Sequence, residues 1–305
     1  MPKSAQGLIF VLLSSLCYAL TGLVSKVLLN SGMEPLLTVT LRNGGCCLLL
    51  GLGLLAWNRG AFKLNRADFK DILIVCLFMF IYSAAYFFAL VYLNFSVAVI
   101  LLYTYPSMVV IASVVIYKEK LNKAIIASLV LTFGGLLMTL NLFSGQIDNL
   151  SATGVALALL AAVGAAGFAL YVKKLTKSYN GATINFYCFL ATVAGYSLML
   201  LFNPPAAWPD LADLGRISLS VVPYTLALLF YALGLKYLSA GKVGIVGSSE
   251  PAFGIILSLI FLGEYISLPQ WLGAGAILAS IFIIQISSSR EEQTQENPNP
   301  TNTCQ

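Results

Sequence analysis

Glu250 stands inside the apolar run "GSSEPAFGIILSLIFLGE" at 247–264, directly before Pro251. A related phrase, "LYTYPSMVVIASVVIYKE", occupies 102–119 with Pro106 and Glu119 at the spacing of Pro251 and Glu264. Three charges fall within apolar runs: Lys26, Arg42 and Glu250. A charge at membrane depth costs several kcal/mol unless it is paired or hydrated, so each is a candidate functional group. Lys26 is near a run's end, where a lysine can snorkel to the headgroups. Arg42 is about two turns in, which suits an ion pair or a cavity. Glu250 is near mid-span, where it must pair with a base such as Arg42, bind protons or meet a cationic group of a substrate.

The prolines place polar groups beside these charges. Pro251 has no N–H for the carbonyl of Gly247, and Pro106 likewise frees that of Leu102. Ser248, Ser249 and Glu250 flank one freed carbonyl; Tyr103, Thr104 and Tyr105 flank the other. The serines and the threonine could instead bond back to their own helix. Tyr82 and Tyr86 are four apart, and Tyr224 and Tyr231 seven apart, so each pair shares a helix face. Tyrosine faces suit cations, although such stripes also serve as packing.

The elements that must carry these residues are membrane spans. The 305 residues are 59% hydrophobic and 10% charged, with a mean hydropathy of +0.89, against about 25% charged in soluble chains. Ten apolar blocks have the length that crosses a bilayer: about 7–29, 35–57, 71–92, 96–117, 123–142, 153–174, 182–202, 217–236, 242–262 and 269–286. The first is too long for a signal-peptide core and is read as retained. With the N-terminus cytoplasmic, 14 of the 17 basic residues fall on the inner side. This bias orients both termini to the cytoplasm and accounts for the net charge of +5 without a nucleic-acid partner. The tail 287–305 is polar and proline-containing, and is predicted to be a disordered cytoplasmic segment. Histidine is absent and the six cysteines lack metal spacing. Imidazole relays, His-ligated zinc and Ser–His triads are thereby excluded, and no metal or cofactor is expected. There is no P-loop pattern for ATP.

The chain repeats itself. A shift of 145 sets Tyr86 on Tyr231, Tyr92 on Tyr237, Leu93 on Leu238, Pro106 on Pro251 and Glu119 on Glu264. A shift of 147 sets Gly7 on Gly154, Ala19 on Ala166 and Lys26 on Lys173. Two halves follow, 1–146 and 147–286, each of five spans. Five is odd, so the second half enters the membrane from the opposite side. Inverted repeats are a transporter signature, with substrate bound between the halves near the midplane.

Two five-span halves whose fourth spans read "PSMVVIASVVIYKE" and "PAFGIILSLIFLGE" resemble the EamA-type branch of the drug/metabolite transporter superfamily. The likeness covers about 7–286, with Lys118 where glycine is common before the glutamate. It implies an all-α bacterial inner-membrane protein, with ten helices in two inverted repeats around a central cavity. It also implies that the third, fourth, eighth and ninth spans line the cavity. The implied activity is secondary transport of a small organic metabolite, an amino acid or related amine, most often outward. The substrate-binding candidates are Glu250, Arg42, Tyr82, Tyr86, Tyr103, Thr104, Tyr105, Ser248, Ser249 and Tyr231, with Pro106 and Pro251 as kinks. Protons are a candidate coupling ion; monomer and homodimer both stay open. The rival readings are a multidrug or quaternary-cation exporter and, from another class, a membrane-embedded lipid-processing enzyme. The enzyme would need an acid cluster, a metal site or an activated nucleophile, and the sequence offers none.

Glu119 and Glu264 read as structural clasps. A carboxylate ending one helix opposes its dipole but accepts hydrogen bonds from the next N-terminus. Replacing either with Gln is expected to lower folded yield in detergent while substrate selectivity stays unchanged. Altered selectivity at normal yield would contradict the clasp.

Overall fold

The computed structural model describes residues 3–30, 32–57, 59–93, 95–118, 122–139, 151–205, 207–263 and 265–296. Twelve helices lie among them: α1 (Lys3–Asn30), α2 (Pro35–Trp57), α3 (Phe69–Tyr92), α4 (Phe95–Leu102), α5 (Tyr105–Tyr117), α6 (Lys123–Thr139), α7 (Ala152–Leu175), α8 (Gly181–Phe202), α9 (Leu211–Tyr237), α10 (Ala240–Gly247), α11 (Glu250–Leu262) and α12 (Leu268–Glu296). No strand occurs among the described residues. Hydrocarbon offers backbone groups no partners, so a helix that bonds within itself is the expected solution.

Among the described residues, eight segments are long and apolar enough to cross a bilayer. Lys123–Thr139 and Leu268–Ile284 are shorter apolar helices. The clasp candidates Glu119 and Glu264 lie outside the described residues, as do the side chains of Lys26 and residues 297–305. The tail is predicted to be disordered from 287, yet α12 runs on to Glu296.

Two spans are broken rather than bent. The segment Val97–Ile116 comprises α4 and α5, interrupted at Tyr103 and Thr104; Ala240–Phe261 comprises α10 and α11, interrupted at Ser248 and Ser249. Each second piece starts with proline in its first turn, the helical position where the missing N–H costs nothing. Each also ends in a left-handed residue, Lys118 (φ 54°) and Gly263 (φ 64°), whose N–H reaches back to the carbonyl of Ser113 or Ser258.

The main packing pairs are α1 with α9, α3 with α7, α2 with α8 and α6 with α12. Each joins a helix before residue 146 to one after it. Residue contacts run in opposite directions within each pair, as in Ser14 to Ala227, Tyr18 on Tyr224 and Phe10 on Tyr237. Lipid tails are as apolar as leucine, so close backbone approach must hold such helices together. One approach is made twice with the halves exchanged. A Cβ on Gly7 would lie 2.7 Å from Leu238 Cγ and 3.0 Å from Tyr237 Cβ; one on Gly154 would lie 2.6 Å from Leu93 Cγ and 2.8 Å from Tyr92 Cβ. α7 adds a buried small-residue face at Ala158, Ala161, Ala162, Gly164, Ala165 and Ala166. Lys173 closes the α9 end, donating from Nζ to the carbonyls of Leu235 and Leu238 at 2.6 Å each. A cation at a helix C-terminus is stabilising.

Gly164 sets the position of Tyr82, because its added Cβ would meet the Tyr82 backbone nitrogen at 2.6 Å. Gly164→Ala is therefore expected to cost about 1–3 kcal/mol through overpacking. Gly22→Ala meets nothing within 4 Å and should gain up to ~1 kcal/mol from helix propensity. Thermal unfolding of the detergent-solubilised variants, followed by size-exclusion chromatography, reads both signs.

Candidate substrate site between the broken helices

The two interruptions meet. Tyr103, in the first, donates from its hydroxyl to Glu250 Oε2 at 2.9 Å, in the first turn beyond the second. Gly244 and Gly247 allow this approach: a Cβ on Gly244 would lie 3.3 Å from Pro106, and one on Gly247 would lie 3.2 Å from the Tyr105 hydroxyl. The Tyr103 and Tyr105 rings are 6.0 Å apart. Glu250 sits at the N-terminal end of α11, where the helix dipole favours a negative charge.

Arg42 does not pair with Glu250. Its guanidinium carbon lies 4.1 Å from the centre of the Tyr224 ring, and its Nε has no hydrogen-bond partner among the described residues. Tyr224 also contacts Tyr18 edge-on at 5.9 Å and Phe189 at 5.6 Å. A cation over an aromatic face gains about 0.5–2 kcal/mol and keeps its charge. Tyr82 lies within electrostatic reach of both Arg42 and Glu250. Tyr18, Tyr82, Tyr103, Tyr105 and Glu250 are ringed by protein yet keep part of their surface accessible. They face an interior space rather than lipid.

The remaining sequence candidates divide by their bonds. Ser248 donates back to the carbonyl of Gly244 at 3.1 Å, and Thr104 to that of Leu101 at 2.7 Å. Both hydroxyls serve their own turns. Ser249 is fully buried, and its Oγ has no partner among the described residues. Tyr231 is buried against Phe168, rings 6.3 Å apart, and Tyr86 packs among Ala85, Ala89 and alanines of α7. Tyr231 thus packs in the core, whereas Tyr86, ringed by protein yet partly accessible and within electrostatic reach of Glu250, belongs with the tyrosines around that acid. Pro106 and Pro251 sit at the breaks themselves.

Two α1 residues join the site without having been singled out in the sequence. Ser15 donates to the carbonyl of Gly247 at 3.2 Å, the acceptor freed by Pro251. Tyr18, three residues on, borders the space. The serine pair Ser14–Ser15, set in the middle of the apolar stretch of α1, was the available signal. At the equivalent α7 position, 147 residues on, stands Ala162, which has no hydroxyl to give.

An all-helical membrane protein with eight long apolar segments, two broken spans and an acid held between them belongs among the membrane carriers. The sequence profile of the EamA-like transporter family matches residues 5–141 and again 152–286. The chain belongs to the EamA-like transporter family and carries its domain twice. An uncharacterized transporter of Archaeoglobus fulgidus is 26% identical over 87% of this chain and 92% of its own length. The uncharacterized transporter YxxF of Bacillus subtilis is 24% identical over 77% and 76%. A chain of known crystal structure shares the fold with a TM-score of 0.82 at 18% identity, over 94% of this chain and 99% of its own.

Removing the Ser15 hydroxyl should leave the half-buried Gly247 carbonyl without this partner, a cost of about 1 kcal/mol. Ser15→Ala is expected to melt earlier and to exchange amide hydrogens faster at 244–250. Ser248→Ala, which loses only a bond within its own turn, should change exchange there much less.

Proposed function

We propose that this protein is a secondary transporter that exports a small amine-bearing organic metabolite, an amino acid or a close relative, by alternating access. The observation that carries the reading is Glu250 at membrane depth with one tyrosine hydroxyl and no basic partner among the described residues. A buried carboxylate costs several kcal/mol, and a hydrogen bond to a charged group returns about 1.5–3 kcal/mol. The deficit requires a further proton or cation. A substrate ammonium beside Glu250, among the faces of Tyr18, Tyr82, Tyr103 and Tyr105, supplies one. Arg42, stacked but unneutralised, suits the carboxylate of the same molecule.

The double family match and the antiparallel pairing of helices across the halves support an inverted repeat of two five-span units, 1–146 and 147–286. Exchange of conformation between such halves turns an inward opening into an outward one. The four short pieces α4, α5, α10 and α11 are the parts able to pivot, because their ends are already free of continuous helical bonding. The inner-side excess of Lys and Arg supports cytoplasmic termini. Protons are the alternative occupant of Glu250 and the natural coupling ion.

Uptake and counterflow in proteoliposomes over a panel of labelled amino acids test this. Glu250→Gln is expected to lower transport about a hundredfold, the effect of losing ~3 kcal/mol from a buried charge pair. Full transport by Glu250→Gln at every pH would defeat the assignment. Displacement of amino acids by tetraphenylphosphonium would favour the quaternary-cation reading, for which the same tyrosines and acid serve.

A further inference from the structure

A shallow crevice opens between α2, α3 and α8, lined by Leu36, Val39, Ser83, Phe87, Tyr196 and Met199. Its floor is Tyr196. This residue is 2% exposed, its ring lies 5.3 Å from that of Phe80, and its hydroxyl is hydrogen-bonded to that of Ser83 across the α3–α8 gap. Arg42 follows Val39 on α2. It is three residues, just under one turn, further along α2 from Val39. On α8, Thr192 is one turn from Tyr196 and accepts from Asn43 Nδ2 at 3.2 Å. Tyr196 is also within electrostatic reach of both Arg42 and Tyr224. Tyr196, with its hydrogen bond to Ser83, thus lines the crevice and lies within reach of the stacked cation.

We infer that the Tyr196–Ser83 hydrogen bond is a gate latch, and that swinging Tyr196 off Ser83 joins the crevice to the Arg42 end of the site. The inference rests on the proposed reading of Arg42 as a substrate-facing group. Three features make the latch a plausible moving part. A neutral hydroxyl pair is weak enough to break thermally. A tyrosine ring turns on two torsions without disturbing helix backbones. The α3–α8 contact also continues below the latch through Cys76 and Cys188, whose sulfurs lie 4.0 Å apart, so the helices stay together while the ring moves. The wall of the crevice is mostly apolar and its floor hydroxyl-bearing, and at about 10 Å³ it is closed to a solute while Tyr196 stays on Ser83.

The latch is tested by thiol accessibility in a full-length chain that keeps the buried Cys76 and Cys188 and has its other four cysteines replaced by alanine or serine. Arg42→Cys reports on the site and Val39→Cys on the crevice, with the impermeant cation 2-(trimethylammonium)ethyl methanethiosulfonate as probe. It is added to whichever face of right-side-out or inverted vesicles labels Val39→Cys. Ser83→Ala and Tyr196→Phe should each speed modification at 42 by about fivefold or more, the weight of one neutral hydrogen bond. The rate at 39 should stay unchanged. Unchanged rates at 42 in Ser83→Ala would overturn the latch, and so would equal acceleration at 39 and 42, which marks general loosening. Ser83→Ala keeps the test open should Tyr196→Phe fail to fold. The labelling needs no substrate: if the amino-acid panel gives no counterflow but position 42 still responds, the latch stands and the substrate reading falls.

Discussion

Hydrocarbon supplies no hydrogen bonds, and a helix interrupted inside it must find partners for every freed backbone group. The rest of this structure follows from that obligation at two places. At the second break the chain tightens into short-range turns: Ser248 N–H bonds the carbonyls of Gly244 and Ile245, and Ser249 N–H that of Val246. The carbonyl that Pro251 leaves open is taken by Ser15 from another helix. At the first break Thr104 N–H turns back to Leu101, and Ser107 N–H to Thr104. The breaks are therefore stable features of the fold, and each presents a fresh helix N-terminus toward the middle of the bundle. Glu250 occupies one of these ends, the location at mid-depth where a carboxylate costs least.

The backbone is close to twofold in its contacts, whereas the site is not. Gly7 against Tyr237 and Leu238 repeats as Gly154 against Tyr92 and Leu93. Across the same relation Glu250 is matched by Tyr105 and Ser15 by Ala162. Packing positions tolerate duplication because small residues do the same work in either half. Charged positions do not, since a second mid-depth acid opposite Glu250 would raise the desolvation cost without a partner. The duplicated acid is replaced by a tyrosine that offers a polar tip and an aromatic face at no charge.

Much of this was legible in the sequence. The apolar spans and the disturbance of two of them at Pro106 and Pro251 follow from apolar block length and proline chemistry, although the prolines read as kinks in the sequence and the helices are interrupted there. What the sequence left open were contacts between helices distant in the chain. Arg42 could have paired with Glu250, and only the packing of α2 on α9 sets it on Tyr224 instead. Ser248 and Ser249 are adjacent and identical in type, yet one bonds its own turn and the other has no partner among the described residues. Tyr18 and Ser15 were hidden because α1 carries no proline or charge at that depth to draw notice. The ten predicted blocks correspond, among the described residues, to eight long segments and two shorter apolar helices.

The separation of the two charges bears on how exchange would be driven. Arg42 is on α2, in the first half, and Glu250 on α11, in the second. On the proposed reading a zwitterion bridges them, so its two ends bind the two halves of the carrier. Neutralising both charges at once removes several kcal/mol of penalty that an empty site would otherwise retain through the transition between openings. An unloaded carrier lacks that relief unless Glu250 takes a proton, and Arg42 has no such option because a guanidinium keeps its charge at any physiological pH. Its stacking on Tyr224 offsets part of the cost in the state described. Glu250, with only the Tyr103 hydroxyl, is the group whose occupancy changes the barrier. The asymmetry between an always-charged base that is stacked and an acid left nearly bare is thus what would couple movement of the halves to the presence of cargo.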